Sequence, residues 1–379
     1  MLISGLLPAN VFRNYFFLIQ KEPGSIFFPI LKWGLGILSK GYTVTIFSLT
    51  PYSGGILMEK GIDVCSSSYA GKGKFLYPFA IDELWQLIKE YKPDIIHAHY
   101  ASSYGLLGTL SGFHPFIISV WGSDVFDFPK ISPIHEWILK LNLKKADKIC
   151  STSHIMKEEA RKYTDKDIAV IPFGVDLNVF KPMQVHHVFK EDSIVIGTIK
   201  SLEKKYGIGY LIEAFAILHK RIKGYSLKLL IVGKGSLDTI LKAKVKDLGI
   251  EAETVFTGFI QPVEIPSYQN MLTISVFPSI DSSESFGVAA VEAMACEKPV
   301  IVSGVGGLPE VVEDNVTGLV VPPKNAEKLA DAIEKLVSEE GLRNKLGMQA
   351  RQRVEKLYNW QDNLDSMIRV YEEMPAKQK

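Results

Sequence analysis

The chain has 379 residues, which is more than a single hydrophobic core usually supports, so two domains are expected. Its 43 Lys and Arg balance 42 Asp and Glu, which excludes an overall electrostatic attraction to nucleic acid. The three cysteines form no cluster with metal-ligand spacing and no apolar run has the length of a spanning helix, so we expect a reduced, non-integral protein without a metal site.

In the first half of the chain, short strand-like runs alternate with longer helix-like stretches, which is typical of βαβ units and parallel sheets. A helix with one apolar face is predicted from Ile26 to Lys40, and a second from Asp82 to Lys92, where Pro93 prevents its continuation. The predicted strands are Met1 to Leu6, Thr43 to Leu49, Asp94 to Ala98, Phe116 to Val120, Lys148 to Thr152 and Ala169 to Pro172.

A turn-rich segment from Pro172 to Pro182, followed by residues 184–192 with little periodicity, predicts a linker. A second βα series then begins, and it predicts a second doubly wound domain. Its strands are predicted at Ile194 to Gly197, Lys228 to Val232, Thr254 to Thr257, Ser275 to Pro278, Pro299 to Ser303 and Leu319 to Val321. Its helices are predicted at Tyr210 to Arg221, Leu237 to Leu248 and Gly287 to Ala295.

The segment with the clearest chemical pattern runs from Glu284 to Ala295 and contains two carboxylates eight positions apart. If both lie on one helix, Glu284 at its entrance and Glu292 two turns inside, their Cα atoms are ~12 Å apart along the axis, the reach from a hexose through a diphosphate to a ribose. The amides at a helix start stabilise phosphate, and Gly287 allows close approach. The alternative is a surface helix with two solvated glutamates.

Residues 279–323 resemble the GT4 family of retaining glycosyltransferases, in the E-x7-E pattern of Glu284 and Glu292 and in the glycine-rich run Gly304 to Glu310. Pro172 to Asp176, Gly233 to Gly235 and Phe256 to Phe259 follow the family's order, so the resemblance spans nearly the whole chain. It implies an α/β protein of GT-B fold, with two Rossmann-like doubly wound domains facing across a cleft. The expected parts are an acceptor domain at 1–183, a nucleotide-sugar domain at 192–355, and a helix at 356–379 packing back on the first domain.

The resemblance also implies a donor site. Lys200 and Lys205 correspond to an Arg and a Lys that bind the diphosphate in the family, although the inserted Tyr206 leaves Lys204 as a substitute; a solvated lysine loop is the alternative. Glu284 is expected to hold the sugar hydroxyls as the catalytic residue, and Glu292 to bind the ribose. The further donor residues expected by resemblance are Gly24, Ile260, Ser285, Phe286, Gly287 and Val288. Gly24 has an ordinary loop glycine as its alternative, and Ile260 a core residue.

On the acceptor side, Trp121 occupies a position where many GT4 relatives have a histidine, and Asp124 follows it as an expected acceptor contact. His97 and His99 lie at the end of another predicted strand and can face the same cleft, and a structural histidine is an equally good interpretation of each. Aromatic and basic residues in Tyr69 to Phe79 and in Trp137 to Lys148 are candidates for contact with a lipid-linked or membrane-surface acceptor, although a solvated basic helix is the favoured interpretation of the second segment.

The resemblance therefore implies transfer of a hexosyl unit, with retention, from a UDP- or GDP-sugar to a hydroxyl acceptor such as a sugar, a lipid-linked sugar or a small molecule. Such an enzyme of glycan, glycolipid or polysaccharide biosynthesis needs no metal or other cofactor and no nucleic acid, and it lies in the cytoplasm or peripherally on the inner face of a membrane. The alternatives are an epimerase or phosphorylase of the same fold, or a non-catalytic sugar-nucleotide-binding subunit, which the missing histidine favours. Dinucleotide chemistry ranks lower because Gly233 and Gly235 lack the third glycine.

Overall fold

The computed structural model describes residues 14–19, 27–51, 60–72, 74–186, 188–190 and 192–375. The chain divides into two compact units, unit 1 with Met1–Pro172 and Asp362–Lys379, and unit 2 with Phe173–Gln361. Residues 173–183, expected in the first domain, belong to unit 2 in this division. Val175 explains this: its amide donates to Tyr358 O at 2.8 Å, and its carbonyl accepts from the amide of Trp360 at 3.1 Å.

Unit 1 is built on a seven-stranded parallel sheet with the order β3-β2-β1-β4-β5-β6-β7. The strands are β1 (Asn14–Ile19), β2 (Thr43–Ser48), β3 (Asp63–Ser66), β4 (Ile95–His99), β5 (Phe116–Val120), β6 (Lys148–Ser151) and β7 (Ile168–Val170). Strand β1 is buried from Tyr15 to Leu18, the pattern of a parallel strand covered on both faces. The strand predicted from Met1 to Leu6 lies outside the described residues, whereas β1 and β3 were not predicted.

The helices described in unit 1 pack against this sheet around a core that includes Phe16, Tyr104 and Leu139. They are α1 (Phe27–Ser39), α2 (Ile81–Tyr91), α3 (Ser103–Ser111), α4 (Ser123–Phe126), α5 (Pro133–Lys145) and α6 (His154–Ala160). Short 3-10 helices lie at Lys74–Ala80 and Phe128–Lys130. The helices predicted at 26–40 and 82–92 thus lie within about a residue of α1 and α2.

Unit 2 is built on a six-stranded parallel sheet with the order β10-β9-β8-β11-β12-β13. The strands are β8 (Ile194–Ile199), β9 (Leu227–Val232), β10 (Thr254–Gly258), β11 (Ile274–Phe277), β12 (Val300–Ser303) and β13 (Gly318–Val321). Together with unit 1, this confirms the expected α/β class with two doubly wound parallel sheets.

The helices described in unit 2 lie between Ile208 and Leu357. They are α7 (Ile208–Arg221), α8 (Asp238–Asp247), α9 (Ile265–Met271), α10 (Val288–Ala295), α11 (Leu308–Val311), α12 (Ala326–Ser338) and α13 (Glu340–Leu357). Short 3-10 helices lie at Lys204–Tyr206, Glu251–Glu253 and Pro262–Glu264. Across the described ranges, none of the helices has the length and apolar character needed to cross a bilayer.

The last helix, α14 (Trp360–Glu372), carries the chain from unit 2 into unit 1. Its buried Tyr371 ring lies 4.6 Å from the Tyr15 ring, and Tyr42 donates to the Glu372 carboxylate at 3.1 Å. Lys40 also pairs with Asp365 at 2.5 Å. These contacts attach the C-terminal helix to unit 1 beside β1 and the residues that precede β2.

Each sheet has one topological switch point, where the direction of winding reverses. In unit 1 it lies between β1 and β4, and in unit 2 between β8 and β11. The loops that leave the carboxyl ends of two such neighbouring strands turn to opposite faces of the sheet, and the crevice between them is where doubly wound proteins bind ligands. The residues after β8 and β11 are therefore expected to line the ligand site of unit 2.

Candidate functional site

At the switch point of unit 2, a lysine and a glutamate from the two diverging loops form an ion pair. Lys200 directly follows β8, and Glu284 lies in the loop after β11. The Lys200 Nζ atom lies 2.8 Å from Glu284 Oε2, and the two side chains are only 16% and 11% exposed. Ser279 Oγ donates a longer hydrogen bond to the same Oε2 at 3.4 Å. Two residues that are 84 positions apart are thus fixed at one point.

The charge of Lys200 is stabilised by this environment. Burial lowers the pKa of the Lys200 ammonium, but the Coulombic attraction of Glu284 and Tyr206, the hydrogen bond to Glu284 and the charge of Glu292 outweigh it, so that the pKa lies above the ordinary 10.5. Lys200 is therefore a fixed cation throughout the neutral range. Since Glu292 contributes to this shift, both glutamates of the predicted pair act on the same ammonium.

Tyr206 lies next to both predicted diphosphate-binding lysines. Its ring centre is 4.3 Å from Lys200 Nζ and 5.1 Å from Lys205 Nζ, both within cation–π distance. From the sequence, Tyr206 is expected only to be an insertion between Lys205 and the following glycine. An aromatic residue adjacent to a lysine pair was the available signal, but sequence alone could not show that its ring reaches both ammonium groups.

The two glycine-rich segments hold the loops of this site in position by close backbone approach. A Cβ atom on Gly233, whose φ is +132°, would lie 2.1 Å from the carbonyl oxygen of Lys200. A Cβ atom on Gly307 would lie 2.3 Å from the carbonyl oxygen of Ser285, and the Gly307 amide donates to Glu284 O at 2.8 Å. These glycines are required by packing of one loop against the next.

The structure corrects the expected placement of the two glutamates on one helix. Helix α10 begins at Val288, so Glu284 lies in the preceding loop and Glu292 is the fifth helical residue, a little over one turn inside. The ~12 Å estimate along a helix axis therefore does not apply. Gly287 at φ +97° ends the loop, and its carbonyl accepts from the amides of Ala290 and Val291, so the amides of Val288 and Ala289 are the ones without an acceptor within the helix.

The residues between the glutamates anchor the start of this helix. Phe286 is buried and makes edge-to-face contacts with Phe173 at 5.9 Å and Tyr358 at 5.4 Å. Its side chain thus belongs to the core, and only its backbone can contribute to a binding site. Ser285 is also buried, and Val288 is half-buried.

The other predicted donor residues lie farther from the ion pair or outside the described residues. Lys205 is exposed, and its carbonyl accepts from the Ile280 amide at 2.9 Å, which joins the turn after β8 to the loop after β11. Ile260 is half-buried and packs against the cluster of Val195, Ile199 and Leu230. Gly24 lies outside the described residues.

In unit 1, the first predicted acceptor residue is fully enclosed. His97 is buried, with Nδ1 at 2.8 Å from the Tyr371 hydroxyl and Nε2 at 2.7 Å from Ser119 Oγ. Burial, and then the neighbouring His99, lower its pKa well below 6.5, so the ring is neutral. Both ring nitrogens have partners, as expected for the alternative interpretation of His97 as a structural histidine.

His99, the last residue of β4, differs from its neighbour. It is buried and stacks on His97 with ring centres 4.0 Å apart, and Trp121 packs edge-on against it at 5.3 Å. Among the described residues, neither of its ring nitrogens has a hydrogen-bond partner. Burial lowers the pKa of His99 to about 3, so its imidazole is neutral with one unsatisfied donor and one unsatisfied acceptor.

Asp124 is fully buried and is used by the backbone of its own loop. Its carboxylate accepts from the amides of Ala101 at 2.8 Å, Gly122 at 2.8 Å and Trp121 at 3.1 Å. Burial raises the pKa of Asp124, and these amide hydrogen bonds oppose the shift. The carboxylate thus fixes the loop that carries Trp121, and its direct contact with an acceptor stays a prediction that this burial argues against.

Two family models match the chain, and together they cover more than half of it. Residues 20–153 match the glycosyl transferase 4-like model, and residues 180–353 match the model of glycosyl transferases group 1. The chain belongs to the group 1 glycosyl transferases. This confirms the family that the sequence pattern indicated.

Two curated relatives of this group 1 glycosyl transferase are matched over different lengths. An uncharacterized glycosyltransferase of Methanocaldococcus jannaschii is 32% identical over 182 residues, which cover 48% of this chain and 45% of the relative. The capsular polysaccharide biosynthesis glycosyltransferase CapM of Staphylococcus aureus is 29% identical over 309 residues, which cover 75% of this chain and 79% of the relative.

Solved structures share the fold over nearly the whole chain. Anabaena HepE in complex with UDP superposes with a TM-score of 0.79 at 18% identity and covers 96% of this chain and 100% of its own. The predicted GT-B fold is confirmed. Within the described part of this glycosyl transferase, no group of three or more His, Cys, Asp or Glu residues is placed to hold a metal ion.

The structure of this group 1 glycosyl transferase thus brings together part of the predicted donor site. Lys200, Glu284 and, through its charge, Glu292 act on one another at the switch point of unit 2, with Lys205 reaching the same tyrosine ring. The acceptor residues of unit 1 separate into two classes. His97 and Asp124 make structural hydrogen bonds, whereas the ring nitrogens of His99 have no hydrogen-bond partner in the described part of the chain.

Proposed function

We propose that the chain is a retaining glycosyltransferase that moves a hexosyl unit from a nucleoside diphosphate sugar, a UDP- or GDP-sugar, to a hydroxyl acceptor. The observation that carries this proposal is the Lys200–Glu284 ion pair at the switch point of unit 2, where a doubly wound domain binds its ligand. The UDP complex of HepE and the capsular polysaccharide role of CapM support the donor and the pathway class.

In this proposal, the donor's diphosphate lies against Lys200, Lys205 and the free amides at the start of α10. An ammonium with a raised pKa and a helix N-terminus both favour negative charge, and they favour it most when the departing diphosphate gains charge in the transition state. Because these groups are already in position, no cofactor is required for leaving-group stabilisation. Backbone groups near Ile260 contact the base.

Glu284 has the role of binding sugar hydroxyls and placing the anomeric carbon. Its Oε2 is already held by Lys200 at 2.8 Å, so its orientation is fixed before the donor arrives. Glu292 binds the ribose hydroxyls. The leaving phosphate accepts the proton of the acceptor hydroxyl on the same face of the sugar, which gives retention without a carboxylate nucleophile.

The acceptor is proposed to bind to unit 1 near the carboxyl ends of β4 and β5, beside Trp121. That residue is half-exposed and lies at the end of β5, on a loop that Asp124 holds rigid. The acceptor class is a sugar, a lipid-linked sugar or a small molecule with a free hydroxyl. The proposed location is the cytoplasm, with peripheral contact at the inner face of a membrane.

Two measurements test this proposal. Thermal-shift screening against UDP-, GDP- and ADP-sugars should raise the melting temperature with one nucleotide class, because a ligand that binds only the folded state stabilises it. NMR of the product should then show the donor's anomeric configuration, and an inverted product would refute retention. If Glu284→Ala and Glu292→Ala both left turnover unchanged, the site assignment would be wrong.

A further inference from the structure

Helix α5 of unit 1 turns an apolar surface toward solvent. Ile134 is 68% exposed and Trp137 61% exposed, while Ile131, three residues before Ile134, is 65% exposed. The opposite side of the helix is the one that enters the core, through Leu139 and Leu143. Single exposed apolar side chains are common on protein surfaces, but several large ones on the same side of a helix indicate an interaction surface.

The same outward side becomes basic in the last two turns of α5. Lys140, Lys144 and Lys145 are exposed there, and Lys130 precedes Ile131. Residues 130–148 contain five lysines against two acidic residues, a local excess in a chain whose total net charge is +1.

Two of the lysines on this surface are paired with carboxylates. Glu136 pairs with Lys140 at 2.6 Å, and Glu159 lies 4.0 Å from Lys130 and 2.6 Å from Lys162. In the described ranges, no carboxylate pairs with Lys144 or Lys145. Lys144 and Lys145 thus supply positive charge without an ion-pair partner in the described ranges, and they lie on the same helix as the exposed side chains of Ile134 and Trp137.

We propose that this surface, formed by Lys130, Ile131, Ile134, Trp137, Lys140, Lys144 and Lys145 and called the α5 face below, binds an anionic lipid bilayer. Apolar side chains that protrude from a helix insert to a depth of ~5–10 Å, and lysines beside them contact the lipid phosphates. Tryptophan is suited to this boundary because its ring is apolar and its N–H is polar.

A second copy of the chain fits this surface less well than a bilayer does. A two-fold interface would place the α5 face of one copy against the same face of the other, so their lysines would meet like charges. An anionic bilayer instead supplies the opposite charge over the whole area. The purpose of the contact, access to a lipid-linked acceptor, rests on the proposed function, but the binding itself does not.

Binding is tested with the full chain and sedimented vesicles of phosphatidylcholine alone or mixed with phosphatidylglycerol. The wild type should bind the mixed vesicles and lose binding as salt is raised. Ile134→Asp with Trp137→Glu should weaken this binding by about tenfold or more, since it removes the inserted apolar area. Lys144→Gln with Lys145→Gln should weaken it by about fivefold per lysine on the mixed vesicles only.

Ile240→Asp is the matched control, because Ile240 is 62% exposed on helix α8 of unit 2 and outside the α5 face. It should bind as the wild type does. Equal binding by the Ile134/Trp137 variant, or equal binding to both kinds of vesicle, would overturn the proposal. A dimer in light scattering that Trp137→Glu dissolves would also overturn it, in favour of self-association.

Turnover with a water-soluble acceptor separates this proposal from the proposed function. The α5-face variants should keep that turnover, since none of these side chains belongs to the donor site. A chain that binds vesicles but transfers no sugar to any acceptor would refute the proposed function and leave the lipid surface standing.

Discussion

The ion pair between Lys200 and Glu284 can be tested by a double-mutant cycle of Lys200→Met, Glu284→Gln and the combined variant. At 2.8 Å, two unit charges attract by ~6 kcal/mol at an effective dielectric constant of ~20, and desolvation of two nearly buried groups offsets much of this. Removing one partner leaves the other charge buried and unpaired. Each single change should therefore lower the unfolding free energy of unit 2 by about 3 kcal/mol.

The combined variant should cost about as much as either single change rather than their sum, because neither charge is then left alone. Hydrogen exchange of peptides from residues 194–206 measures the opening of unit 2 without requiring that the two units unfold together. Lys204→Met, a change at an exposed lysine of the same turn, is the control and should stay within about 0.5 kcal/mol of the wild type.

The pH dependence of this coupling has a defined sign. Since the pKa of Lys200 is raised, its contribution is fully present below the ordinary lysine value of 10.5 and is lost only as the pH rises beyond it. The lysine side of the pair therefore stays charged across the neutral range. Additive single changes at neutral pH would show that the two groups do not interact, and the reasoning about a preorganised donor site would fail.

Gly307→Ala should lower kcat by about tenfold or more, because the added Cβ would lie 2.3 Å from the carbonyl oxygen of Ser285 and must displace the Glu284 loop. Gly341→Ala is the control and should leave kcat unchanged, since a Cβ at Gly341 would have nothing within 4 Å. Equal kcat values for the two variants would refute the packing role of Gly307. Tyr206→Ala should weaken UDP binding by about two- to fivefold, whereas Tyr206→Phe should preserve it; equal losses would show that the ring does not matter. The pKa of His99 in the folded protein is about 3, so the free energy of unfolding falls as the pH drops below about 6.5, the ordinary histidine pKa. His99→Phe should recover about 1 kcal/mol of the unfolding free energy that the wild type loses between pH 7 and 5.5, as measured by urea denaturation. An unchanged dependence of the unfolding free energy on pH would contradict this.

The strands of unit 2 could be predicted closely because each is a short apolar run between breakers. The run beginning at Ile194 was predicted from the sequence and appears as Ile194–Ile199, and Phe116–Val120 of unit 1 agrees at both ends. Strand Asp63–Ser66 could not be found this way, since it has four residues and both of its ends are exposed. Its place in the sheet comes from pairing with β2, which is tertiary information.

Helix α12 was missed although its signal was present. Asn325 caps it by accepting from the Lys328 amide at 3.0 Å, and Leu329, Ile333 and Leu336 follow at helical spacing on the buried side. The helix start near Phe286 was harder to predict. The left-handed Gly287 delays helical geometry until Val288, and no propensity argument distinguishes that glycine from one inside the first turn.

The residues of the candidate donor site could be named from sequence, but their contacts could not. Lys200 and Glu284 are 84 positions apart, and only the strand order that places β8 beside β11 brings them together. The contact between Tyr206 and Lys200 could not be predicted either. The sequence shows that Tyr206 follows Lys204 and Lys205, but the orientation of its ring toward Lys200 depends on the turn that ends at Gly207.

The glycine-rich segments acquire a physical meaning that differs from direct ligand binding. Gly233 packs against the backbone of Lys200, and Gly307 packs against the backbone next to Glu284. Each glycine-rich segment therefore holds the backbone of one partner of the ion pair in place. A side chain at either position would move a charged group by an ångström or more, and a site that acts by positioned charge loses its effect at such displacements. The glycines and the charged pair therefore depend on each other. The glycines fix the positions of the two charged side chains, and these charges determine which ligands the site can bind.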